Sequence, residues 1–510
     1  MSRVVVLVLL MAGCVQPVAL PTGASTAPTL PPDAALAGDA SSASDQMVSP
    51  PDSADVEPMP AFPDGSPMDG GLEHDGSTVL DAETIDPDAT PDAASAPDAA
   101  PAPTPTPVRY PADQIHSPIT PFTRAAMAEI AAIEGNHDDQ VFMKIGASST
   151  VSRRTLHCFA GENVDLGDAE ALQPTLDYFL AGDAAGSTPF DRETIAARIG
   201  HSAGWAIDGD PSPIQEEIAA IGPRLAIVHY GTNDMGLVGP YRDGLVYFYG
   251  RMMLLIEGLV DQGIVPILTG ITRRGDNARA NRWVHTFNAA IRGMAQGWQV
   301  PFIDLHLAVD HLDRHGLAGD GLHLNGYGPG ACLLTEEGLA YGYNVRNLVV
   351  LESLDRVRRS LFTDEITLDD PVPAMAGRGT SAAPFDIETL PFADTRNTAL
   401  SAQSDFDVYA CDDADESGPE YVYRFHTDRE IRLRAVVLDR DGVDIDLHVL
   451  SGDARDGDCL GRGHHDVAFT ATPGTYSFVL DSFVNRAGEV LAGPYLFLLV
   501  ECDDDDPDCD

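Results

Sequence analysis

At 510 residues the chain is too long for one ordinary domain, and its length favours two folded units with linkers. It carries 79 acidic against 31 basic residues, a formal charge of -48. A surface that acidic repels phosphate backbones and anionic head groups, which argues against nucleic-acid binding, and it favours solubility.

The N-terminus reads as an address. Arg3 precedes the apolar stretch Val4 to Met11, then Ala12, Gly13 and Cys14. That stretch is too short to span a bilayer and suits a secretory leader. Leu10-Met11-Ala12-Gly13-Cys14 resembles a bacterial lipobox, whose cysteine is lipidated and becomes the mature N-terminus, with Met11 where leucine is commoner. The expectation is a signal peptide over 1–13 and a lipid anchor at Cys14. The chain would then be an exported bacterial lipoprotein, held at the outer membrane or cell surface. Residues 14–108 are Pro, Ala, Asp, Ser and Thr with few aromatics, a composition that cannot offset the entropy of ordering and predicts a disordered tether. Inside it, Gly23-Ala24-Ser25-Thr26 repeats the letters found later around Ser148, but no strand precedes it.

Between 109 and 362, apolar runs alternate with amphipathic stretches. The runs are Val141–Ile145, Ala196–Ile199, Leu225–Tyr230, Val265–Ile271 and Phe302–Leu305. The helical patterns include Ile214–Ile221, Gly244–Val260 and Ala278–Met294. Strand and helix in that rhythm predict a parallel sheet covered by helices, with ligands at the carboxyl ends of the strands.

Three motifs lie where such a sheet would gather them. Ser148, in Gly146-Ala147-Ser148-Ser149, follows the first run; Gly231-Thr232-Asn233-Asp234 follows the third; Asp320-Gly321-Leu322-His323 comes in a loop after the last. A serine hydroxyl attacks only when a base takes its proton, so His323 is the candidate base and Asp320 its orienting carboxylate. The Ser148 N–H, a glycine N–H and the Asn233 amide could receive the developing negative charge. No cofactor or metal is called for. His229 falls inside a predicted strand and reads as core, His157 as structural, and His311 and His315 have no evident serine partner.

The order Gly-x-Ser, glycine block, Gly-x-Asn-Asp and Asp-x-x-His resembles the SGNH (GDSL-type) hydrolase superfamily. The resemblance implies a flavodoxin-like three-layer α/β/α sandwich and an esterase, lipase, thioesterase or carbohydrate deacetylase. It makes Ser148 the nucleophile, Asn233 an oxyanion donor and His323 the base oriented by Asp320. Within Ser202-Ala203-Gly204, Gly204 becomes the backbone donor, with Gly200 the second choice. The chain departs from the family at Ala147, where an aspartate is usual, and at Ser149, where leucine is usual. The substrate class that the tether suits is an acylated polysaccharide. A binding lipoprotein on a hydrolase-like scaffold and an O-acyltransferase are the alternatives; no obligate protein partner is expected.

A linker is predicted over 363–384. Beyond it, Ile431–Ala435 and Val443–Val449 alternate apolar with polar residues, and Tyr476–Leu480 and Tyr495–Val500 each follow a Pro/Gly turn, so 385–510 reads as a β-sandwich. Tyr421-Val422-Tyr423, Val443-Asp444-Ile445-Asp446-Leu447 and Pro473-Gly474-Thr475-Tyr476 resemble the bacterial pre-peptidase C-terminal domain, an accessory module of secreted enzymes. Asp439, Asp441, Asp444 and Asp446 form an acidic cluster whose spacing is not that of an EF-hand loop; solvent-facing side chains are preferred to calcium. Asp503–Asp506 reads as a solvated charge run. With Cys14 set aside, six cysteines remain, an even number suited to an oxidising compartment. Pairs kept within each domain are Cys158 with Cys332, Cys411 with Cys459, and Cys502 with Cys509.

Overall fold

The apolar runs of the first domain become a parallel sheet because both of its faces are covered by helices, which leaves no polar face to alternate. A computed structural model describes residues 108–363, 366–411, 414–454 and 458–509. The leader, Cys14 and the tether before Val108 lie outside the described residues. The sheet is formed by β1 (Asp138–Gly146), β2 (Pro223–His229), β3 (Val265–Thr269) and β4 (Phe302–Ile303), hydrogen-bonded in that order and all parallel. Its helices are α1 (Pro121–Ala131), α2 (Ser148–Val151), α3 (Gln173–Leu180), α4 (Ala203–Ile207), α5 (Pro213–Ile221), α6 (Tyr241–Val260), α7 (Ala278–Trp298), α8 (Leu305–Asp310) and α9 (Gly342–Leu361). Helices α1, α3 and α9 pack together, and α4 to α7 pack together, as the two outer layers. Among the described residues, no helix is long and apolar enough to cross a membrane.

Two predicted strands are corrected. Ala196–Ile199 touches β1 only through a bridge, Gly146 with Ala197, although it sits at the sheet edge where a strand would complete the flavodoxin-like order. Its Arg198, Ile199 and Gly200 are exposed, so nothing rewards extending the ladder. The run Phe302–Leu305 stops pairing after Ile303, because the Asp304 side chain accepts from Leu307 N–H at 2.8 Å and caps α8.

The second domain holds two antiparallel-rich sheets. One orders β10 (Asp458–Gly463), β9 (Ile445–Ser451), β12 (Gly474–Ser482), β7 (Tyr421–Thr427) and β5 (Phe385–Ile387). The other orders β11 (Asp466–Ala471), β8 (Ile431–Leu438), β13 (Pro494–Glu501) and β6 (Phe392–Asn397). Alternate residues fill the space between them: Leu433, Ala435 and Val437 of β8 meet Phe497 and Leu499 of β13 and Leu447 and Val449 of β9.

The opposite face of that second sheet is apolar too. Ala393, Val436, Leu438, Leu496, Leu498 and Val500 belong to the same buried cluster as the first domain's core. They lie against α7, where a Cβ on Gly293 would sit 2.4 Å from Leu496 Cδ1, so a larger residue there would have to push that side chain aside. Within the predicted linker, residues 366–384 are not a free spacer: Asp369 accepts from Ile119 N–H at 2.6 Å and pairs with Arg356 at 2.5 Å.

The acidic tail is likewise folded in. Asp506 is fully buried against the equally buried Arg434 at 2.7 Å, and that guanidinium stacks 3.7 Å from the Trp283 ring centroid of α7. Asp505 pairs with Arg282, and Asp508 with Arg279 and the Trp283 indole. Removing one partner of a buried ion pair strands the other charge and costs about 3–5 kcal/mol. Asp506→Ala is therefore expected to lower the urea-unfolding free energy by about that amount. The exposed neighbour Asp504, replaced by alanine, should move it by less than about 0.5 kcal/mol.

Among the described residues, three disulfides join Cys158 to Cys332, Cys411 to Cys459 and Cys502 to Cys509. The sequence pairing matches them.

Candidate active site

Strand β1 delivers Ser148. Its last residue, Gly146, lies where a Cβ would fall 2.2 Å from Thr150 Oγ1 and 2.8 Å from the His229 carbonyl, so the chain can turn into α2 beside β2 only with glycine there. Ser148 then opens α2, half-buried. The turn is held from below by Arg346 of α9, 2% exposed, which donates to the Ser149 carbonyl at 2.9 Å. Burial pulls that guanidinium down to about 10, and it has no carboxylate partner among the groups that perturb it. Asn347 of the same helix accepts from Leu156 N–H and donates to the Arg154 carbonyl, and the Cys158–Cys332 bond ties this loop to the chain beyond His323.

The Asp320–His323 segment is a tight loop between Leu317 and Leu324, which bridge each other. Asp320 Oδ1 accepts from the N–H groups of Leu322 and His323, both at 3.0 Å, and its Oδ2 lies 2.7 Å from His323 Nδ1. A carboxylate only accepts, so Nδ1 carries the proton and Nε2 is free to accept. The Ser148 hydroxyl lies 2.8 Å from that Nε2. Burial pushes the Asp320 carboxyl up, but the bonds from His323 and Leu322 outweigh it and hold it below the usual range. The carboxylate thus stays charged where a developing imidazolium needs it.

Asn233 follows β2 in the Gly231–Asp234 turn. One of its amide protons goes to the His201 carbonyl at 2.9 Å, and Nδ2 carries a second. Asp234 is fully buried and accepts from Ala203 N–H at 2.9 Å and Gly231 N–H at 3.0 Å, which stitches this turn to α4. Burial pushes its carboxyl up to about 6 against the pull of those N–H groups. From the loop after β3, Arg274 donates to the Thr232 carbonyl at 2.9 Å and grips Asp276 with two bonds of 2.8 Å. Asp276 N–H in turn reaches the Gly321 carbonyl at 3.2 Å. One loop therefore braces both the Asn233 turn and the Asp320–His323 loop.

Ala147, Ser148, Asn233, Thr272, Leu322 and His323 are among the residues lining a crevice of about 20 Å³. A larger groove of about 510 Å³, lined by Phe159, Glu170 and Leu176 among others, contains none of Ser148, Asn233 or His323. Gly204 does not line the crevice; it sits in the first turn of α4 facing Tyr247, and Gly200 is exposed with open space around it. His229 is buried, and its backbone strand forms part of the crevice wall, while His315 instead faces Asp310. Sequence reasoning missed Arg346 and Arg274. Both are arginines on stretches whose spacing alone gives a solvent face as good a claim to them.

Residues 175–329 match the model of the GDSL-like Lipase/Acylhydrolase family; Asn233, Asp320 and His323 fall within the match and Ser148 precedes it. No curated protein matches the chain in sequence. Among solved structures, a GDSL-like lipase from Bacteroides thetaiotaomicron is similar, 15% identical over 46% of this chain and 97% of its own, with a TM-score of 0.27. An acetylxylan esterase from Geobacillus stearothermophilus is 12% identical over 46% of this chain and 100% of its own, TM-score 0.28. The pre-peptidase C-terminal domain of a collagenase from Bacillus anthracis is 16% identical over 22% of this chain and 89% of its own, TM-score 0.15.

Proposed function

We propose that this GDSL-like acylhydrolase domain is a serine esterase that works through an acyl-serine intermediate. The observation that carries the proposal is the continuous relay Ser148 Oγ, His323 Nε2, His323 Nδ1, Asp320 Oδ2, with links of 2.8 and 2.7 Å. Ser148 attacks the ester carbonyl as His323 takes its proton, and the second Asn233 amide proton and the Ser148 N–H receive the charge on oxygen. The protonated His323 then gives its proton to the leaving alcohol. The acyl-serine is cleared by a water that the same imidazole deprotonates.

The crevice at Ser148 is small, and a short acyl group such as acetyl is the one we favour. Acetylated carbohydrate is the substrate class we favour, in keeping with an exported chain anchored at Cys14. Three disulfides support an oxidising compartment. The test is a fluorophosphonate probe on the full chain. We expect labelling at Ser148, found by peptide mass spectrometry, together with acetate release from an acetylated oligosaccharide. Folded protein that takes no label overturns the esterase reading and favours a binding scaffold; label without acetate release overturns only the substrate class.

A further inference from the structure

The sandwich domain holds a second chemically distinct cluster. Asp444 and Asp446 are two residues apart at the start of β9, so their side chains leave the strand on the same face, opposite Ile445 and Leu447, which enter the core. The turn joining β10 to β11 brings His464 against them: its Nδ1 is 3.0 Å from Asp444 Oδ1 and 3.5 Å from Asp446 Oδ1. All three ligand atoms lie within 4.8 Å of one another. Asp446 is fully buried, and its other oxygen pairs with Arg462, which fixes the carboxylate with Oδ1 turned toward the imidazole. Both Oδ1 atoms are shut off from solvent and face the single His464 Nδ1. One ring nitrogen carries at most one proton and cannot satisfy two desolvated carboxylate oxygens, whereas a cation among the three atoms would.

We infer that Asp444, Asp446 and His464 form a binding site for a divalent transition-metal cation of the zinc class. Bonds of about 2.0–2.2 Å at tetrahedral angles separate neighbouring ligand atoms by about 3.3 Å, and the two nitrogen–oxygen distances here bracket that value. One nitrogen and two oxygens suit zinc-like ions. Calcium and magnesium take oxygen ligands, which separates this site from the calcium reading of the Asp439–Asp446 cluster. Asp441 of that cluster is exposed and lies outside the set, and Asp439 Oδ2 is occupied by the Ile445 N–H at 2.8 Å. Asp444 and His464 are partly exposed, so the fourth position opens to solvent.

The experiment uses the full chain stripped with a chelator and titrated with Zn²⁺ against a chromophoric competitor. One equivalent should bind at micromolar or tighter dissociation constant and raise the melting midpoint. His464→Ala, in an exposed turn, should weaken binding at least tenfold, and Asp441→Ala should leave it unchanged. Equal binding by all three proteins means diffuse attraction to the acidic surface and overturns the site, as does no stoichiometric uptake. Uptake of Ca²⁺ in preference to Zn²⁺ overturns the assignment of metal class.

Discussion

Ser148→Ala is expected to cut kcat on p-nitrophenyl acetate by about 10⁴-fold or more, with the melting midpoint unchanged. The side chain is half-buried at the head of a four-residue helix and supplies only one hydrogen bond, to His323, so its loss costs the fold little. What it removes is the nucleophile. Without it a water must attack, aided only by the donors around the carbonyl oxygen. Because the serine and the imidazole act as a unit, the double variant Ser148→Ala/His323→Ala should be no slower than either single one. Turnover of the alanine variant at the wild-type rate would show that the hydroxyl plays no part.

The second large effect belongs to Asn233. Its replacement by alanine is expected to lower kcat about 10²- to 10³-fold, equivalent to about 3–4 kcal/mol of barrier, while KM moves by less than about threefold. The reasoning rests on selectivity for the charged intermediate: a neutral ester carbonyl accepts weakly from an amide, and an oxyanion strongly. One proton of Asn233 is already committed to the His201 carbonyl, which pins the amide before substrate arrives. A rise in KM with kcat intact would mean that Asn233 merely holds the ground state. Steady-state kinetics on one ester, with both constants resolved, separates the two.

Much of this site could be read from residue order. Ser148, Asn233 and His323 each follow an apolar run, and a parallel sheet leaves those ends little choice but to meet. The D-x-x-H spacing puts the carboxylate and imidazole on one loop, so local geometry alone could foresee their bond. The braces could not be foreseen in this way. Arg346 reaches Ser149 from nearly 200 positions away, and nothing in an amphipathic α9 separates a buried guanidinium from a solvated one. The tail failed for a related reason. A run of aspartates reads as solvated until Arg279, Arg282 and Arg434 are seen beside it, and those partners lie far upstream. Ala196–Ile199 had the hydrophobicity of a strand, but a strand also needs a partner along its length, and here only Ala197 bridges β1, which sequence periodicity does not report.

The sheet carrying Ala393, Leu496 and Leu498 has two greasy sides, one for its own sandwich and one for α7. Such a module cannot be shed. A protein truncated near Phe362 would expose the bare flank of α7 to water and self-associate, and the excised sandwich would carry the matching sticky surface.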